Sequence, residues 1–172
     1  MPSTILIGNT VVLKVLQEQF FEEYLTMFSD IVCHWLHASR QYETDYLYAR
    51  LNKIKPYQTY FYCIFEKFTK NLIGAIEIRS KHESLGQLYS WINENYWSKG
   101  FYREALFLVS QEYFKNEKER FFQAHVDIKN KRSYFALKKY GFIDSGIKDG
   151  PHGKQYQLIF VNNSKKDYYS FD

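Results

Sequence analysis

The stretch Trp91-Ile92-Asn93-Glu94-Asn95-Tyr96-Trp97-Ser98-Lys99-Gly100-Phe101-Tyr102-Arg103-Glu104-Ala105-Leu106 reads as a strand, a tight turn and the start of a helix. Such a turn leaves several main-chain N–H groups without acceptors, and the helix dipole adds partial positive charge at the same point. Together they can hold a pyrophosphate without any basic side chain, and Gly100 lets the backbone come close to it. Taken alone the signal is weak, because ordinary turn chemistry also places a glycine between a strand and a helix.

Other reactive residue types are sparse. Cys33 and Cys63 are too few for a disulfide framework and read as buried thiols, with no environment that would make either a covalent catalyst. His34 and His37 are spaced to share a helix face, but without a third ligand they make a poor zinc site, so no metal is expected. His125 alternates with apolar neighbours and reads as a sheet-surface residue. The aromatic run from Thr59 to Phe65 could stack on bases, yet a central strand needs the same continuous apolarity.

These residues must be carried by a particular order of elements. Ile5 to Ile7 and Val11 to Leu16 read as strands around a Gly8-Asn9 turn, followed by helical patterns over Gln17 to Met27, Asp30 to His37 and Glu43 to Ile54, the last ending before Pro56. Strands follow at Thr59 to Glu66, Leu72 to Arg79 and Gln87 to Asn93, with a turn at Lys70-Asn71. After a helix from Phe101 to Phe114 comes a strand from Phe121 to Ile128, then a helix capped by Asn130 and ended at Tyr140-Gly141. Phe142 to Lys148 and Gln155 to Val161 form a closing hairpin around Asp149-Gly150-Pro151-His152-Gly153. This order predicts an α/β fold of the α+β kind, with a central, mixed but mostly antiparallel sheet and helices on both faces. The strand before Gly100 and the strand at Phe121 to Ile128, joined by a helix, should run parallel with a right-handed crossover.

Composition bounds the rest. A chain of 172 residues with 45% hydrophobic and 20% aromatic residues suffices for one domain, read as residues 1–162 with a polar tail over 163–172. No segment approaches the roughly 20 apolar residues of a membrane-spanning helix, and the N-terminus lacks the pattern of an export signal, so a cytoplasmic protein without membrane partners is expected. The sequon at Asn162-Asn163-Ser164 then reads as chance. A formal charge of +4 modestly favours anionic ligands and gives no reason to expect nucleic acid.

The run from Asn95 to Leu106 resembles the pyrophosphate loop of the GNAT superfamily of N-acyltransferases, in the form typical of its RimJ/RimL-like branch. Asn130-Lys131-Arg132-Ser133 through Lys138-Lys139-Tyr140-Gly141-Phe142 is similar to a second block of that branch. Val12 to Leu16 is similar to its first strand, and Val32-Cys33-His34-Trp35-Leu36 to a further segment, so the likeness spans nearly the whole chain.

The resemblance implies a GNAT-like fold whose parallel strand pair splays apart. It also implies an acetyl-CoA-dependent N-acetyltransferase acting on an amine acceptor, a protein N-terminus or a small molecule. The implied cofactor-binding set is Trp91, Ile92 and Asn93 for the pantetheine arm, Trp97, Ser98, Lys99, Gly100, Phe101 and Tyr102 for the pyrophosphate, and the Asn130 side chain. Tyr102 departs from the pattern, standing where a small residue is usual, so that its ring either crowds the phosphates or points outward. Many relatives place a tyrosine acid where this chain has Leu137, and in the RimJ/RimL-like branch Ser133 takes the position proposed to protonate the leaving thiolate. His152 is the first candidate for general base, because it lies in the hairpin where the branch places a carboxylate, and Glu77 is the second. A GNAT-shaped binding module working through protein or RNA contacts is the alternative, and the oligomeric state, a homodimer included, stays open.

Overall fold

The computed structural model describes residues 2–52, 58–81, 84–117 and 121–162. The expected C-terminal tail and the last residues of the helix before Pro56 lie outside them. The elements are β1 (Ile5–Ile7), β2 (Val11–Val15), α1 (Phe21–Met27), α2 (Asp30–Leu36), α3 (Arg40–Leu51), β3 (Gln58–Glu66), β4 (Leu72–Lys81), β5 (Ser84–Ile92), α4 (Phe101–Asn116), β6 (Phe121–Asp127), α5 (Lys131–Tyr140), β7 (Ile143–Gly150) and β8 (Gly153–Val161). They form one sheet in the order β1-β2-β3-β4-β5-β6-β8-β7, antiparallel throughout except for β5 and β6.

Boundaries differ from the sequence reading where caps decide. The serine at position 39 accepts the Tyr42 N–H at 3.0 Å and starts α3 three residues before Glu43. The helical pattern from Gln17 breaks into a 3-10 turn over Glu18–Phe20 and then α1, with no side-chain cap at either start. At α5, Asn130 Oδ1 accepts the Ser133 N–H at 3.2 Å, and Gly141 takes the positive φ of 123° that closes the helix.

The apolar run of β3 is explained by burial on both faces. Tyr60, Tyr62 and Ile64 enter the core under α4 and α5, while Phe61, Cys63 and Phe65 enter the core under α1, α2 and α3. Burial pushes the Cys63 thiol up to about 12, so it stays a protonated core residue.

Glu104 of α4 ties this helix to the turn between β1 and β2. Its carboxylate accepts the N–H groups of Asn9 at 2.5 Å, Thr10 at 2.8 Å and Val11 at 3.1 Å, and the Thr10 hydroxyl as well. Partial burial pushes the carboxyl pKa up, but the four donors outweigh it and hold the group below its ordinary value of 4.5. A depressed folded-state value means stability that is present above 4.5 and lost as pH falls through the folded value. The stability gap between wild type and Glu104→Gln, read from urea midpoints, is therefore expected to be widest near neutrality and to close in acid.

Candidate active site

Beyond Leu88 the two parallel strands part. β5 and β6 pair only at Gly86 with Phe122, Gln87 with Gln123 and Leu88 with Ala124, although β5 runs on to Ile92 and β6 to Asp127. At the closed end a Cβ on Gly86 would stand 2.5 Å from the Tyr113 hydroxyl, so only glycine lets α4 pack this near the sheet. Asn93 N–H donates to Ile73 of β4 at 2.9 Å, and the alternation of antiparallel pairing then turns the main-chain groups of Ile92 and Ser90 toward the gap. The Ile92 carbonyl is already taken by the Trp97 indole N–H at 2.8 Å.

The chain from β5 to α4 is held by its own side chains. Asn93, 5% exposed, accepts the Asn95 N–H at 3.1 Å and donates to the Met27 carbonyl at 2.9 Å. Arg132 of α5 stacks on Trp97 at 3.4 Å from the ring centre. Ser98 and Gly100 take positive φ values of 61° and 85°, and α4 begins without a side-chain cap. The amides from Ser98 to Arg103 meet no acceptor among the described residues, the first helical bond being Glu104 N–H to Gly100. A Cβ on Gly100 would find no atom within 4 Å. In front of the loop lies an open depression of about 620 Å³ lined by Lys99, Gly100, Arg103, Tyr140 and Phe160. Unfilled donors, two cations and open space suit a phosphorylated ligand.

Tyr102 neither fills this space nor points outward. Its ring packs against the core under α4, and its hydroxyl shares a hydrogen bond of 2.9 Å with Ser90 of β5. Burial pushes the phenol up to about 12, the Ser90 contact opposing the shift. Tyr102, at the second helical position, reaches the sheet at Ser90, so its bulk lies away from the loop.

On the opposite face the parted strands meet α1, α2 and α3. Trp91 packs edge-on against Tyr24 and Phe28 and donates its indole N–H to the Tyr24 hydroxyl at 3.1 Å. Tyr24 in turn donates to Glu43 Oε1 at 2.5 Å. Burial raises the Glu43 carboxyl pKa, the Tyr24 bond opposes that, and nearby Glu77 adds to the rise. Glu77 is 3% exposed: Tyr46 donates to Oε2 at 2.7 Å, Arg79 Nε to the same oxygen at 3.1 Å, and Arg50 lies 3.2 Å from Oε1. This second base candidate is thus a buried carboxylate bound to two guanidinium groups.

His152 sits exposed in the turn between β7 and β8, its ring stacked at 4.7 Å and 20° on His37 at the end of α2. His37 Nε2 lies 3.1 Å from Asp127 Oδ2 at the end of β6. His34 turns away and packs on Trp35. The Ser133 hydroxyl takes no carbonyl of its own helix, although its N–H is used by Asn130. His125 is more enclosed than a sheet-surface residue: its Nε2 is buried with no hydrogen-bond partner among the described residues, and burial lowers its pKa to about 4. Among the described residues no His, Cys, Asp and Glu group could hold a metal ion, and no helix is long and apolar enough to cross a membrane.

Sequence reasoning missed Asp127, Glu43 and Glu104, and saw His37 only as half of a metal pair. Each acts through a residue at least 19 positions away. The one local hint was the acidic residue in the first turn of α4.

Comparisons with known proteins agree with this geometry. The family model described as an acetyltransferase (GNAT) domain matches residues 11–143. Among solved structures, a GNAT-family acetyltransferase from Bacillus anthracis superposes with a TM-score of 0.78 at 16% identity, covering 92% of this chain and 98% of that one. Ribosomal-protein-S5-alanine acetyltransferase from Vibrio fischeri gives 0.76 at 14% identity, over 94% and 98%. An acetyltransferase from Salmonella typhimurium that modifies the N-terminal serine of a 50S ribosomal subunit protein gives 0.76 at 12% identity, over 90% and 96%. A search of curated protein sequences finds no match. With 133 residues matched from Val11 to Ile143, the chain belongs to the GNAT acetyltransferase family and is an acyltransferase.

Proposed function

We propose that this enzyme transfers an acetyl group from acetyl-CoA directly to a primary amine, at a protein N-terminus or on a small molecule. The observation that carries the reading is the run of unfilled amides from Ser98 to Arg103 facing open space at the head of α4. Amides of Ser98 to Tyr102 would hold the pyrophosphate, with the Lys99 and Arg103 charges beside them, and the main-chain groups of Ser90 together with the Ile92 N–H, the Ile92 carbonyl being held by Trp97, would take the pantetheine arm. Asn130 has its amide nitrogen to offer, its oxygen being used in the cap. Acetyl-CoA supplies the activated acyl group.

Direct transfer requires the chain to accept a proton from the amine and to offer one to the departing sulfur. Ser133, with its hydroxyl uncommitted, suits the second task. The imidazoles at the rim suit the first, His152 ahead of Glu77, whose carboxylate is occupied by Arg50 and Arg79. Neighbouring structures named for alanine or serine on ribosomal proteins favour a protein N-terminus as acceptor.

Calorimetric titration with acetyl-CoA should show saturable binding, and thiol release should follow addition of peptides beginning in serine or alanine. Absence of binding at millimolar acetyl-CoA would return the chain to the role of a GNAT-shaped binding module. Because Tyr102 lies under the helix, Tyr102→Phe should leave acetyl-CoA affinity unchanged and cost only the Ser90 hydrogen bond, about 1 kcal/mol of stability in urea.

A further inference from the structure

Asp127 ends β6 three residues past Ala124, the last rung shared with β5, or roughly 10 Å beyond the point where the strands part. In the parallel register it stands level with Trp91 across the gap. Phe122, Ala124 and Val126 enter the core under α4, so Asp127 projects to the other face, as Trp91 does.

Both carboxylate oxygens of Asp127 are committed. Oδ1 accepts the Lys129 N–H at 2.8 Å and Oδ2 lies 3.1 Å from His37 Nε2. The Lys129 amide first, and the His37 contact with it, outweigh the opposing effect of burial and keep its carboxyl below the ordinary range. A carboxylate accepts, so Nε2 carries the imidazole proton and Nδ1 keeps its lone pair. His152 lies flat against the same ring at 4.7 Å. Three elements, the end of α2, the end of β6 and the β7–β8 turn, thus converge on one imidazole whose side chain remains 30% exposed. His37 also holds a left-handed backbone, φ 52° and ψ 39°, of the kind that collects at functional positions in non-glycine residues.

Resting on the acetyl-transfer reading, we infer that His37 is the group that takes the proton from the acceptor amine, with Asp127 as its positioning residue and His152 as the plate that fixes its ring. As the amine nitrogen bonds to the thioester carbonyl carbon, the carbon–sulfur bond breaks and its electron pair leaves on sulfur. The surplus proton on nitrogen passes to His37 Nδ1 and on to solvent, and sulfur departs as the thiol after protonation. Asp127 stabilises the imidazolium without being protonated itself. The assignment moves the base from His152, which has no carboxylate partner among the described residues.

The test uses acetyl-CoA with a peptide beginning in serine, and His37→Gly, since glycine accepts the left-handed backbone and leaves a hole the size of the ring. The variant should bind acetyl-CoA as the wild type does, lose about 10²-fold or more in kcat, and regain part of it with added imidazole. Asp127→Ala should also lose kcat, imidazole should not restore it, and the ring N–H signal of His37 in a proton–nitrogen NMR spectrum should disappear. Full activity in His37→Gly, a loss that imidazole does not repair, or rescue of His152→Gly instead would overturn the role of His37 while leaving acetyl transfer intact. A wild type that transfers no acetyl group would fail the underlying reading and take this role with it.

Discussion

Glu77→Gln is expected to lower the free energy of unfolding by about 3–5 kcal/mol, the usual cost of removing one partner from a buried ion pair. The carboxylate stands between α3 and β4, 3% exposed, and Arg50 beside it is 7% exposed at its side chain. Arg79 is packed between Tyr46 at 4.7 Å and Tyr89 at 3.8 Å from the ring centres and is 24% exposed at its side chain, so it is the buried Arg50 that cannot turn to water without opening the helix from the sheet. The amide that replaces the carboxylate keeps the shape and removes the charge. The check is the urea midpoint at constant slope, with Tyr42→Ala on the exposed side of α3 as control. A loss under about 1 kcal/mol would show that water reaches the pair and that its charges are screened.

Gly100→Val should act in the opposite sense, sparing the fold and disabling the site. The left-handed φ of 85° costs a branched L residue about 1–2 kcal/mol. No protein atom lies within 4 Å of the new Cβ, so no clash adds to that. The methyl groups would, however, project into the open space beside the loop, and a phosphate displaced from there would lose several charge-assisted hydrogen bonds at once. Acetyl-CoA affinity is expected to fall by about 100-fold or more, a change of about 2.7 kcal/mol, while the urea midpoint moves by less. Equal affinity in wild type and variant would mean that the phosphates sit elsewhere.

Much of this arrangement can be read along the chain, because the reading depends on neighbours. Periodicity places the strands, Asn130 and Gly141 mark the two ends of α5, and Gly100 marks the turn into α4. Cap choice is subtler: Ser39 carried α3 three residues further back because one hydroxyl accepts one amide, which no apolar period reports. The hairpin around Pro151-His152 was legible from turn residues, yet its histidine gained significance only from what it stacks upon.

What the sequence by itself determined is the set of local elements, the strand–turn–helix with its unpaired amides, and the family to which they belong. All of these rest on interactions within a few residues, where propensity and period act. Only the tertiary structure decided where side chains point and whom they meet. Tyr102 turned inward to Ser90, Glu104 gripped a turn 93 to 95 positions earlier, and His37 found Asp127 across 90 residues. Such pairings follow from how helices settle on a sheet and from which buried polar groups then need partners, and no spacing along the chain encodes that.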